Sequence, residues 1–147
     1  MVKESYSEEE TFSFAMDMGK KAHPGQVYTL TGDLGTGKTV FAQGFSKGLG
    51  VTEYVNSPTF TIIQEYDTGV FPVYHFDVYR IGDISEMEET GYEDYFYGDG
   101  VCLIEWAKLI EDIIPKDAVS ITIDKDLTKG ENYRCIKVKR SHEDFGS

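Results

Sequence analysis

One eight-residue stretch constrains the fold of this chain more than any other feature. Residues 32–39 read Gly-Asp-Leu-Gly-Thr-Gly-Lys-Thr, which has the form G-x-x-x-x-G-K-T. An apolar run at residues 26–31 precedes the stretch, and a segment with helical patterning, residues 40–48, follows it. In such a strand, loop and helix, backbone N–H groups surround nucleotide phosphates, and the helix N-terminus adds partial positive charge. The stretch therefore predicts a phosphate-binding loop between a buried strand and a helix.

Each fixed residue of this loop has a separate physical role. Glycines such as Gly35 and Gly37 allow positive φ and close backbone approach. Lys38 can reach the β- and γ-phosphates, and Thr39 offers a hydroxyl to Mg²⁺. The alternative is a glycine-rich turn that ends in a lysine, and the strand and helix on either side argue against it.

The rest of the pattern predicts an α/β fold. Ser7 to Glu10 has the form of a helix capping box, so we expect a helix through Lys21, with Thr11 as a solvated or capping residue in its first turn. Residues 59–66 and 70–76 predict an antiparallel hairpin after the nucleotide helix. Further strands are expected at residues 101–105, 119–123 and 133–138, and a helix-like pattern at residues 106–114.

Size and charge limit the classes of function. The 147 residues suit a single domain, with a flexible tail expected at residues 140–147. The formal net charge of −12 argues against a large surface that grips nucleic acid through its phosphates. No C-x-x-C pair is present, so we expect no zinc site. No apolar run is long enough to cross a membrane, so we expect no membrane partner and a cytoplasmic location. The acidic charge also argues against a DNA partner.

Two acids follow apolar runs and are candidates for a metal site. Asp77 follows Val-Tyr-His-Phe, and Glu105 follows Val-Cys-Leu-Ile. A nucleotide loop that uses Mg²⁺ needs an acid at the end of a neighbouring strand, although an acid in this position is often only a helix cap. Spacing does not tell which of the two would bind the ion and which would orient water.

Other residues each have two or three interpretations. Ser57 and Thr59 could sense the γ-phosphate or form a plain turn. His75 lies among aromatic residues and is expected to be structural rather than a base. Arg80 could stabilise phosphate charge or form a surface ion pair. Trp106 could be a core residue, an interface anchor or a surface on which a base stacks.

Five motifs follow one another along the chain: GDLGTGKT, VNSPTFTIIQEY, VYHFDVYR, GYEDYF and VCLIEWAKLIED. In this order they resemble the TsaE family, P-loop ATPases of bacterial tRNA threonylcarbamoyladenosine biosynthesis. The resemblance covers about residues 11–115 and rests mainly on segments that are not general features of phosphate loops. The resemblance implies a single-domain P-loop NTPase fold with a mostly parallel central sheet flanked by helices.

The resemblance also implies roles for individual residues. ATP or ADP phosphates would be held by the loop from Asp33 to Thr39, and Mg²⁺ by Thr39 with Glu105 and Asp77. Lys38, Asp77 and Glu105 would carry the catalysis. Thr36 and Val40 stand where alanine and threonine are common in the family, and neither position must supply chemistry. The remaining nucleotide contacts implied are Thr11, Asp33, Leu34, Gly35, Thr36, Gly37, Ser57, Thr59, Trp106 and Arg134.

The implied function is slow, Mg²⁺-dependent ATP hydrolysis to ADP and phosphate. It would reset a complex with the TsaB and TsaD proteins between rounds of tRNA modification, and tRNA would be reached through that complex. A small-molecule kinase is disfavoured because no arginine-rich lid segment is present, and a GTPase because no N-K-x-D motif is present. A nucleotide-gated adaptor with incidental turnover stays open.

Overall fold

The computed structural model describes residues 1–32, 37–53, 55, 63–78, 84–105 and 107–140. Within these residues, seven strands form one mixed sheet in the order β1-β7-β6-β2-β5-β4-β3. Helices cover the sheet, as the α/β prediction requires. The strands are β1 (Val2–Ser5), β2 (Val27–Thr31), β3 (Ile63–Tyr66), β4 (Val73–Asp77), β5 (Val101–Glu105), β6 (Val119–Lys125) and β7 (Arg134–Lys139).

The four central strands, β6, β2, β5 and β4, run parallel. Their apolar runs predict this arrangement, because parallel strands are buried on both faces. All five residues of β5 are buried. The carboxyl ends of the four strands therefore meet at one edge of the sheet, and the glycine loop leaves β2 at that edge.

Antiparallel strands complete both sides of the sheet. β3 and β4 form the predicted hairpin, with Tyr66 opposite Val73, and β6 and β7 form a second antiparallel pair. β1 pairs with β7 and was not predicted. Its four residues, Val-Lys-Glu-Ser, are too few and too polar to give a strand signal in the sequence. β1 forms because the backbone of β7 offers it hydrogen-bond partners.

Two helices pack on one face of the sheet, α1 (Glu8–Lys20) and α2 (Lys38–Gly48). The predicted cap is confirmed: the Ser7 hydroxyl accepts a hydrogen bond from the Glu10 N–H, at 3.1 Å. The helices approach closely because glycines line their contact. A Cβ at these positions would lie 2.1 to 2.4 Å from a backbone oxygen of the other helix. The glycines are Gly19, Gly44 and Gly48.

The opposite face is covered by short helices: α3 (Tyr92–Phe96) and two 3-10 helices, Ile84–Thr90 and Ala107–Ile113. The helical pattern predicted at residues 106–114 therefore appears as a 3-10 helix with a kink at Ile110. A 3-10 helix has three residues per turn and is typical of short connecting segments. No helix in the described part of the chain is long and apolar enough to cross a membrane.

Candidate nucleotide site

The start of α2 has the geometry expected at the end of a phosphate-binding loop. Gly37 has φ of +97°, a left-handed conformation that glycine adopts without strain. The N-cap residue Gly37 has no side chain to cap α2, and the first turn of the helix carries no acid, whereas α1 begins with a capping serine and three glutamates. The first turn of a helix has N–H groups without intrahelical acceptors, so this end suits an anion.

The two motif residues that begin α2 are in different environments. Lys38 is buried, with 7% of its surface exposed, and Thr39 is exposed to solvent. Charged side chains are seldom buried unless they are paired. The lysine is therefore held within the site rather than spread over the surface.

The predicted acids lie side by side. Asp77 ends β4, Glu105 ends β5, and the two are direct partners in the parallel ladder, with Leu30 of β2 on the other side of Glu105. Both acids share a face with Val73 and Leu103, which belong to the core under α2, since alternate residues of a strand point the same way. The fold therefore places the two acids on neighbouring strands, with both side chains on the α2 side of the carboxyl edge.

A buried histidine is bonded to one of these acids. His75 Nε2 lies 2.6 Å from Glu105 Oε2, and the two residues are only 1% and 2% exposed. His75 and Asp77 alternate along β4 and so share a face. The sequence predicts a structural role for His75 among aromatic residues. The residues around it on β4 do not reveal that its hydrogen-bond partner comes from β5.

Arg134 lies on the other side of the loop. A Cβ built at Gly37 would be 4.0 Å from Arg134 Nε, so the arginine side chain lies near the start of α2. Its Nη1 donates hydrogen bonds to the backbone oxygens of Glu131 and Tyr133, both at 2.8 Å. These bonds hold the guanidinium close to the turn that precedes β7.

Thr11 is buried, with 2% exposed, so the expectation of a solvated residue was wrong. Its hydroxyl lies 2.7 Å from that of Ser5, which donates to the Ser7 carbonyl. Because Ser5 has one hydroxyl proton and uses it there, Thr11 donates to Ser5. Ser5 is the β1 partner of Arg134, so the unpredicted strand β1 brings Thr11 and Arg134 to the same region.

The predicted residues thus fall into two groups on either side of the loop. Asp77 and Glu105 lie on β4 and β5, whereas Arg134 lies on β7, beyond β6 and β2. At about 4.8 Å for each pair of neighbouring strands, Asp77 and Arg134 are roughly 19 Å apart across the sheet. They are therefore suited to opposite ends of an extended ligand. The predicted residues Asp33, Leu34, Gly35, Thr36, Ser57, Thr59, Arg80 and Trp106 lie outside the described residues.

The donors present fit a magnesium ion better than a transition metal. Among the described residues, no group of three or more His, Cys, Asp or Glu side chains could hold a metal by itself. Mg²⁺ does not need such a group, since it prefers oxygen ligands and is usually held by one or two carboxylates together with the phosphates of its substrate. Asp77, Glu105 and the Thr39 hydroxyl offer oxygen donors of this kind.

Comparison with known proteins identifies the family of this chain. The family model described as "Threonylcarbamoyl adenosine biosynthesis protein TsaE" matches residues 5–134. The tRNA threonylcarbamoyladenosine biosynthesis protein TsaE of Bacillus subtilis is 56% identical over 115 residues, which are 78% of this chain and 72% of that protein. The protein of the same name from Rickettsia typhi is 34% identical over 140 residues, 95% of this chain and 96% of its own.

A solved structure has the same fold. The crystal structure of Bacillus subtilis YdiB superposes with a TM-score of 0.80 at 40% sequence identity, covering 99% of this chain and 88% of that one. The matched family region contains the glycine loop, both acids and Arg134. The resemblance inferred from sequence motifs is therefore confirmed, and the chain belongs to the TsaE family.

Proposed function

We propose that this chain binds ATP with Mg²⁺ at the loop between β2 and α2 and hydrolyses it slowly to ADP and phosphate. The proposed role is to serve tRNA threonylcarbamoyladenosine biosynthesis. One observation carries the proposal: Asp77 and Glu105 are ladder partners at the edge where the glycine loop leaves the sheet. Ligands of open α/β sheets bind in the crevice outside the carboxyl ends of the strands.

Each residue has a proposed role in this reaction. The loop backbone from Asp33 to Thr39 and the Lys38 ammonium hold the phosphates, and Thr39, Glu105 and Asp77 hold the ion or orient the attacking water. When bound, Mg²⁺ would neutralise charge that develops on the phosphate oxygens. The other proposed contacts to the nucleotide are Thr11, Ser57, Thr59, Trp106 and Arg134.

The left-handed Gly37 and the uncapped start of α2 support the phosphate end of this assignment. The position of Arg134 near Gly37 supports a second ligand region on the β7 side of α2. Asp77 and Glu105 supply oxygen donors at the ends of neighbouring strands, which suits a divalent cation. These features together favour a nucleotide with its metal over an isolated anion.

The proposed partners are the TsaB and TsaD proteins, which the family resemblance implies. The net charge of −12 disfavours an extended contact with the phosphates of tRNA, so we propose that the chain reaches tRNA through those partners in the cytoplasm. Hydrolysis would reset the complex between rounds of modification rather than form the threonylcarbamoyl group.

The test is ATP turnover by the purified chain, measured alone and with the TsaB and TsaD proteins. We expect slow turnover alone and faster turnover in the complex. Turnover that stays unchanged while the complex forms would favour the adaptor, in which ATP occupancy orders a docking surface. Absence of ATP binding in both samples would contradict the proposed function itself.

A further inference from the structure

The hydrogen bond between His75 and Glu105 has a role beyond packing. We propose that His75 is a positioning residue: it fixes the Glu105 carboxylate in the orientation that binds the Mg²⁺ of the nucleotide. This inference rests on the proposed function, because it concerns the metal of the same site. It adds a residue that acts through Glu105 and does not itself touch the ion.

The register of the sheet shows where His75 lies relative to Glu105. Asp77 is the ladder partner of Glu105, whereas His75 is the partner of Leu103, one strand repeat further from the carboxyl edge. The 2.6 Å bond therefore joins Glu105 to a side chain that starts one strand repeat further from the edge. A glutamate side chain has several rotamers, and this bond favours those in which Oε2 faces His75.

The direction of the bond follows from the chemistry of a metal ligand. A carboxylate that binds Mg²⁺ is ionised and only accepts hydrogen bonds, so Nε2 of His75 carries the hydrogen. The other ring nitrogen, Nδ1, is buried and has no hydrogen-bond partner in the described structure. Nδ1 is therefore suited to carry a lone pair, since a buried N–H without an acceptor is costly.

Burial distinguishes a positioning residue from a base. His75 is 1% exposed, and its one bonded nitrogen is occupied by Glu105. A general base must reach the water it activates. Removal of a residue that orients a metal ligand typically lowers metal affinity by about 10- to 100-fold. Metal affinity is therefore the property that His75 should control.

Two variants of similar size separate positioning from packing. In His75→Gln, the amide nitrogen lies as many bonds from Cα as Nε2 does and can still donate to Glu105. In His75→Asn, the amide nitrogen corresponds to Nδ1 and falls short. Both are polar, so the comparison isolates the position of the donor.

The measurement is the affinity for Mn²⁺, used as a probe for Mg²⁺, in the presence of ADP, by electron paramagnetic resonance of the free ion. ADP binding in EDTA provides the metal-independent readout. We expect His75→Asn to weaken Mn²⁺ binding by about 10- to 100-fold with ADP binding in EDTA unchanged, and His75→Gln to restore most of the affinity. Equal Mn²⁺ affinity in His75→Asn and wild type, or equal losses in both variants, would overturn the inference.

A second measurement needs no variant. In the ¹⁵N-labelled wild-type protein, we expect the His75 ring signals to show hydrogen on Nε2 and to shift when Mg²⁺ is added to the ADP complex, because the cation withdraws charge from the same carboxylate. Signals that do not respond to Mg²⁺ would contradict the positioning role. A wild-type chain that binds neither ADP nor Mn²⁺ would overturn the proposed function and this inference together. Normal binding with an unaffected Asn variant would overturn only the inference.

Discussion

Gly48 of α2 packs against the backbone of Met16 on α1, and a Cβ at position 48 would lie 2.1 Å from the Met16 carbonyl oxygen. In an open helix, Gly→Ala is stabilising by up to about 1 kcal/mol. Here the added methyl group must push α1 and α2 apart. We expect Gly48→Ala to lower the free energy of unfolding by about 1 to 3 kcal/mol, measured by urea denaturation.

Ser13→Ala is the control for this prediction, because Ser13 is exposed on α1. We expect its free energy of unfolding to stay within about 0.5 kcal/mol of the wild type. A Gly48→Ala variant as stable as wild type would show that the helices can separate without cost.

Lys38 is expected to be essential for nucleotide binding. Lys38→Ala should abolish ATP binding in calorimetry, because it removes the ammonium that reaches the phosphates, while the circular dichroism spectrum stays that of the folded chain. Lys47→Ala is the matched control, since Lys47 is on the same helix and exposed. If both variants bound ATP as tightly as wild type, the phosphate site would be misassigned.

The two acids are expected to have separable roles. Glu105→Gln and Asp77→Asn should each lower ATP turnover by about 100-fold or more if they support the metal or the attacking water. The Mg²⁺ requirement should rise in Glu105→Gln, because Glu105 is the proposed ligand, whereas an unchanged requirement in Asp77→Asn would assign Asp77 to orienting water. Glu111→Gln, an exposed acid in the 3-10 helix after β5, serves as the control. Wild-type turnover in both acid variants would remove them from the catalytic site.

Cys102 is expected to make the protein less stable in alkali. Burial raises the pKa of its thiol from 9.0 to about 12. Between these values the unfolded chain loses the proton while the folded chain keeps it, so the stability linked to this group is complete below pH 9.0 and falls as pH rises towards 12. In urea denaturation over this range, we expect the wild type to lose stability more steeply than Cys102→Ala.

The second thiol provides a check on that explanation. Cys135 is partly exposed on β7, whereas Cys102 is buried and its thiol donates to the Tyr95 carbonyl oxygen at 3.2 Å. In the folded protein an alkylating reagent should modify Cys135 and leave Cys102 unmodified, and in urea it should modify both. Equal modification of both thiols in the folded chain would contradict the burial of Cys102.

Features that depend on nearby residues were predictable from sequence. The Ser7 cap of α1, the span of α2 and the hairpin of β3 and β4 all follow from contacts between residues close in the chain. The glycine motif belongs to the same class, because its strand, loop and helix are consecutive. The longer helical pattern at residues 106–114 was less reliable, since the same spacing of apolar residues also fits the kinked 3-10 helix observed.

Features that depend on distant residues were not predictable in the same way. β1 becomes a strand because β7 offers it a ladder from the other end of the chain. Thr11 becomes buried because β1 brings Ser5 to it. The hydrogen bond of His75 depends on the pairing of β4 with β5, so a motif that contains only His75 and Asp77 does not show it.

The sequence by itself predicted a phosphate-binding loop, and it determined that two acids follow apolar runs and that the motifs of the TsaE family are present. The tertiary structure decided that Asp77 and Glu105 are neighbours, that His75 is bonded to Glu105, and that the Arg134 side chain lies near Gly37. The physical reason is the distance along the chain over which each effect acts. Local propensity and motif spacing act over a few residues, whereas the register between parallel strands is set by the packing of the whole sheet.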